Sequence, residues 1–226
     1  LTDEELTARP KRHRRTWTAI TTIEVVAAIA AVVLRPGIPT FALLAMAAVS
    51  LLIRRQGFGS LGFHKAASQR LVVKMFVFAA AWSLFQLSVT MPIANHVSGE
   101  KTDLSEFDDL QGNVGMLIGL IVLSWTLAAV AEELAYRGYM QTRIRELFES
   151  NRIGLVVAVL VSSVLFGMAH SEQGLVGVMV ITVDAIAFSM LRYRYKTLWA
   201  SVLAHGFNNT IGFIAFFLIG PIHGLW

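Results

Sequence analysis

Three groups of polar side chains interrupt stretches of this sequence that are otherwise apolar. In VLSWTLAAVAEELAYRGYM, two adjacent carboxylates, Glu132 and Glu133, follow an apolar run, and Arg137 comes four residues after the second. The run VLFGMAH ends on His170. His205 and Asn209 are four residues apart inside LWASVLAHGFNNTIGFIAFF, with Asn208 beside them. An ion at bilayer depth costs at least a few kcal/mol, so such residues are paired, functional or both. Helical spacing divides the roles. Glu133 and Arg137 are i and i+4, hence stacked on one face and able to pair, whereas Glu132 points about 100° away and is left free of that arginine. Together the residue types suit hydrolysis of an amide. A carboxylate takes a proton from water, a histidine orients that water and later donates, and a second histidine with an asparagine amide stabilises the developing oxyanion.

Each group also has an ordinary reading. EELAYR reads as a helix end carrying a surface ion pair, His170 as an interfacial residue, and His205 with the asparagines as hydrogen bonds between packed helices. Those readings weaken when the groups are taken together, because Glu132, His170, His205 and Asn209 lie on three separate apolar segments. Other hydrolytic chemistries lack their signatures. Cys is absent, and no GxSxG elbow or HExxH helix occurs.

The three segments resemble the CAAX-protease and bacteriocin-processing (CPBP, Abi) family of intramembrane endopeptidases, whose pattern is EExxxR, then FxxxH, then HxxxN. Here these are Glu132-Glu133 with Arg137, Phe166 with His170, and His205 with Asn209, in that order over about 114–212. The resemblance implies Glu132 as the base that activates water and His170 as its partner on that water. It implies His205 and Asn209 as the oxyanion site, with Glu133 and Arg137 as supports. The family has been described both as glutamate-dependent and as metal-dependent. In the second case Glu132, His170 and His205 would hold a zinc ion with water as fourth ligand. The expected partners are a peptide or membrane-protein substrate and the lipid bilayer. Two other classes stay open from the residues alone: a transporter or ion-pathway protein, and a non-catalytic immunity or binding member of the fold.

The elements that must position these residues are membrane helices. Of 226 residues, 55% are hydrophobic and 15% charged, and the mean hydropathy is +0.62. That charge content is well below the quarter or so usual in soluble domains. The apolar runs are 17–34, 38–53, 71–94, 114–136, 153–170, 174–191 and 197–219. They predict an all-α polytopic transmembrane bundle of about seven helices, six to eight being compatible with the pattern. Three regions follow: a basic cytoplasmic segment over 1–16, N-terminal transmembrane helices and loops over 17–113, and a catalytic core over 114–226. The stretch 55–70 is too polar and glycine-rich to span, and the acidic connection 95–113 is the longest loop.

Charge placement orients the bundle. With seven spans and a cytoplasmic N-terminus, segments 1–16, 54–70, 137–152 and 192–196 hold 16 of the 19 Lys and Arg, as the positive-inside rule requires. The net charge of +4 therefore points to anionic lipid headgroups in a plasma membrane rather than to nucleic acid. Two further acids, Glu24 and Asp184, fall at membrane depth. Glu24 is expected near the interface or an inner polar cavity, and Asp184 is expected to line the cavity or pair with a neighbouring helix.

One geometric conflict remains. A turn at Ser150-Asn151-Arg152 puts Glu132 and His170 each 19 residues from Asn151, hence at equal height in an antiparallel pair. That requires helix to continue through 137–149, which has an apolar face in Tyr136, Met140, Ile144, Leu147 and Phe148. A helix over 114–149 would be ~54 Å long, too long for one straight span. A break or kink before Glu132, or projection from the bilayer, is the expectation.

Overall fold

In the computed structural model, residues 11–34, 39–64 and 66–224 are described; of these, the side chains of 11–14 are not. The first ten residues of the basic segment 1–16, and with them Arg9, lie outside the described residues, as does Arg35. Seven helices run through the described chain. They are α1 (Lys11–Leu34), α2 (Pro39–Arg54), α3 (Gln69–Ser98), α4 (Val114–Leu147), α5 (Arg152–Met168), α6 (Gly174–Tyr195) and α7 (Leu198–Ile219). All but α2 and α5 are long and apolar enough to cross a membrane, and those two are apolar helices of 16 and 17 residues. The protein is a polytopic helical membrane bundle.

Two ends of the bundle are distinct. At the basic end, Arg54 of α2 pairs with Glu24 of α1 at 2.8 Å and with Glu146 of α4 at 3.2 Å. Arg143 approaches Glu24 and Glu146 at 3.5 and 2.6 Å. Glu24 is thus an ion-pair partner between helices. Arg192 of α6 donates to Thr142 and to the Leu61 carbonyl. The 55–68 connection docks here as well. Phe58–Leu61 form one 3-10 turn, Leu61 is fully buried, and the Leu198 amide donates to Gly62 O. Gly62 has φ +109° and a backbone against Leu198, a position only glycine fills without strain. The opposite end joins the 99–113 loop to the α5–α6 turn and the C-terminal residues. Asp103 N–H donates to Gln173 O, Gly112 N–H to Phe217 O, and the His223 ring to Thr102 O.

Helix α4 has no break before Glu132, the first of the alternatives expected for it. It runs without interruption from Val114 to Leu147, but from Ser124 to Met140 its hydrogen bonds shift to the wider π spacing. Such widening is frequent at functional sites, because it inserts residues without ending the helix. The stretch 137–147, counted above with the cytoplasmic segments, is helix packed inside the bundle, with Arg137, Tyr139, Met140, Gln141, Arg143 and Ile144 all buried. The turn to α5 falls where the sequence placed it. Glu149 and Ser150 adopt left-handed φ of 53° and 55°, and Asn151 caps α5 by accepting from the Gly154 amide at 2.8 Å.

Candidate active site

The site forms where α4, α5, α6 and α7 meet around Phe166. Its ring makes edge contacts with Tyr136 at 4.9 Å, with His170 at 4.7 Å and with His205 at 6.1 Å between centroids. The Arg137 guanidinium lies over the ring at 4.2 Å, a geometry that favours a desolvated cation. The phenylalanine of the FxxxH motif is therefore a shared contact of Arg137, His170 and His205.

Glu133 and Arg137 are 0% and 1% exposed, and Oε1 of Glu133 lies 3.2 Å from Arg137 Nη1. The same oxygen lies 3.0 Å from Nδ1 of His205, itself 6% exposed. The carboxylate accepts there, which leaves Nε2 of His205 for other contacts. Phe188 of α6 stacks on that ring at 5.5 Å and 26°. Glu133 thus ties α4 to α7 through His205. The spacing argument had paired it with Arg137 alone.

Glu132 takes no part in that network. It lines a cavity of about 600 Å³ together with His170, His205, Asn208 and Asn209. Its Oε2 is buried with no hydrogen-bond partner, and the two histidine rings are within electrostatic reach. A second cavity of about 290 Å³ adjoins the first at Glu132 and Asn209, lined by Thr40, Phe41 and Glu106 among others. Glu132 and Asn209 stand where the two cavities meet. His170 falls two residues beyond the last residue of α5, at a 3-10 turn. Its Nδ1 lies 2.9 Å from Phe166 O. A carbonyl only accepts, so Nδ1 carries the proton and Nε2 of the neutral ring is an acceptor. Among the described residues, no three His, Asp or Glu side chains are grouped as ligands of a metal ion. Glu132, His170 and His205 are thus not gathered here as a zinc site.

Residues of α3 complete the cavity, and the motif reading gave no hint of them. Trp82 Nε1 donates to Asp184 Oδ1 at 2.8 Å, and Gln86 Nε2 donates to Oδ2 at 2.7 Å. Ser83 Oγ donates to Asn208 Oδ1 at 2.9 Å. Asp184 both lines the cavity and pairs with a neighbouring helix. The signal in the sequence was present but faint. Trp82, Ser83 and Gln86 are three hydrogen-bonding side chains within five residues of an otherwise apolar span.

The loop side of the site carries Glu106. It is exposed, yet the protein around its carboxyl and the Glu172 carboxylate push its pKa above the ordinary 4.5, against the Gln173 amide that donates to it.

The comparison with protein families agrees with the motifs. The model of the family described as "Type II CAAX prenyl endopeptidase Rce1-like" matches residues 114–211, so this segment is similar to that family. It spans α4, α5, α6 and the part of α7 that carries His205 and Asn209. No curated protein matches the chain, and no solved structure does.

Proposed function

We propose that the protein is an intramembrane endopeptidase in which Glu132 activates water for attack on a peptide bond. The observation that carries this reading is the contrast between two adjacent carboxylates. Glu133 is fully buried and engaged through Oε1 with Arg137 and His205, while Glu132 stands outside that network and lines the cavity. A carboxylate so placed is available to take a proton.

The steps follow from the side chains. Water held between Glu132 and Nε2 of His170 loses a proton to Glu132 as its oxygen attacks the carbonyl carbon. The oxyanion that forms is stabilised by the amide of Asn209 and by His205 as imidazolium, whose Nδ1–H stays on Glu133 while Nε2–H donates to the oxyanion. Glu133 orients the His205 ring as the acid of a catalytic dyad orients its histidine, and Arg137 balances the Glu133 charge. Breakage of the C–N bond is completed when the proton passes to the leaving amine. The substrate is a peptide or a membrane-protein segment that enters the apolar chamber.

The test is proteolysis of a peptide library by purified protein, read by mass spectrometry, with Glu132→Ala and His170→Ala alongside. New termini that appear with the wild type and vanish in both variants are expected. Equal products from all three proteins would sink the assignment, and chelator sensitivity of the same samples reports on metal.

A further inference from the structure

Asp184 is a charged group in the cavity that the proposed chemistry leaves unused. It is 8% exposed, and both carboxylate oxygens accept a hydrogen bond from α3. The indole N–H of Trp82 can only donate, so Oδ1 accepts, and with the Gln86 amide nitrogen on Oδ2 both oxygens accept, the pattern that an ionised carboxylate satisfies. Such a group has room for about four donors, and two are present. The donors are themselves held in place, since the Trp82 ring stacks on Phe78 at 5.7 Å and packs on Phe85 at 5.2 Å. The carboxylate is therefore fixed in the wall. Around it the cavity is lined by Phe76, Leu84, Leu87, Val180 and Ile181, where charges interact far more strongly than in water.

Asp184 lines the same cavity as His205, and its place relative to that ring follows from α6. Phe188, which stacks on His205, is one turn beyond Asp184, or about 6 Å at the helical rise. An extended peptide advances about 3.3–3.6 Å per residue. We infer that Asp184 is a specificity-determining residue that rejects a substrate carboxylate within about two residues of the scissile bond. That carboxylate is either an acidic side chain or the substrate's own C-terminus, and amide donors are favoured in its place. The inference rests on the endopeptidase reading.

The experiment uses the full chain in detergent micelles and one neutral peptide that it cuts. Matched peptides carry Asp or Asn at each of the three positions on either side of the cleaved bond, and a further pair ends in a carboxylate or an amide. For wild type, kcat/KM is expected to favour the uncharged partner by about tenfold or more at one or two adjacent positions. Asp184→Asn is expected to reduce that ratio below about threefold. The side-chain amide of this variant still accepts from Trp82 and donates to a flipped Gln86 amide, so the wall keeps its geometry, and Asp184→Ser serves as the second neutral variant. Each ratio comes from one preparation, so the fraction of folded enzyme cancels. Wild-type indifference to the carboxylate, or an unchanged ratio in both variants, would overturn the inference while leaving the protease reading intact. Failure of the wild type to cut any peptide would overturn that reading and the inference with it.

Discussion

At the scale of residues, the account turns on two neighbours that the sequence makes look alike. Glu132 and Glu133 differ by about 100° on an ideal helix, and that angle separates a free carboxylate from a paired one. The pair is buried on both sides, so removing one partner strands a charge. Arg137→Met is expected to destabilise the protein by about 3–5 kcal/mol, and adding Glu133→Gln to it should recover part of that loss. Thermal unfolding of the single and double variants in one detergent checks this. Outside the bundle, Glu106 gives a prediction with a defined sign. Its pKa is raised by burial and by Glu172, so its ionised form is disfavoured in the folded state. The resulting destabilisation is absent below about pH 4.5 and grows as pH rises through the folded pKa. Glu106→Gln is therefore expected to melt higher than wild type at pH 7 and equally at pH 4, and a higher wild-type melting temperature at pH 7 would contradict it. The motif residues were legible at this scale because each is an ionisable or amide group on an apolar run. The role of Phe166 was not, since a phenylalanine in such a run looks like any other lipid-facing or core residue until its contacts with Tyr136, Arg137, His170 and His205 are seen.

At the scale of elements, close helix contacts are set by small residues. A Cβ at Gly167 of α5 would meet the Thr182 hydroxyl and lie 2.6 Å from the Val178 carbonyl of α6. Backbone cannot step aside, so Gly167→Ala is expected to cost about 1–3 kcal/mol and to displace His170, three residues on. Its activity should fall further than its folded fraction, measured by peptide turnover against a melting curve. The seven apolar runs were legible as helices, and the Ser150-Asn151 turn was legible from its residue types. The change of pitch in α4 was not. Residues 124–140 carry no Pro or Gly before Gly138 to mark it, and the wide hydrogen bonds answer to packing against α2, α5 and α7. The polar face of α3 also escaped, because Trp82 and Gln86 find their partner about a hundred positions later in the chain.

At the scale of the whole molecule, the charge bias and the fold agree on two ends. The basic residues at the ends of α2, α4 and α6 gather at one end, while the 99–113 loop, the His170 turn and His223 gather at the other. The positive-inside rule predicts a cytoplasmic basic end, which would turn the cavity lined by Thr102, Leu104 and Phe107 to the opposite side. The chain has no cysteine, so single cysteines report orientation directly. Glu172→Cys is expected to react with an impermeant maleimide added outside intact cells, and Phe58→Cys only after permeabilisation; the reverse pattern would invert the bundle. The family match begins at residue 114, after α3, yet α3 supplies a wall of the cavity, so activity is expected to need helices on both sides of residue 113. All of this rests on Glu132 as the base. The decisive measurement is kcat/KM for one peptide cut by the purified protein, wild type against Glu132→Gln, with the folded fraction of each taken from its melting curve. The account predicts normal folding and a loss of about a hundredfold or more in the variant, and undiminished turnover by folded Glu132→Gln would contradict it.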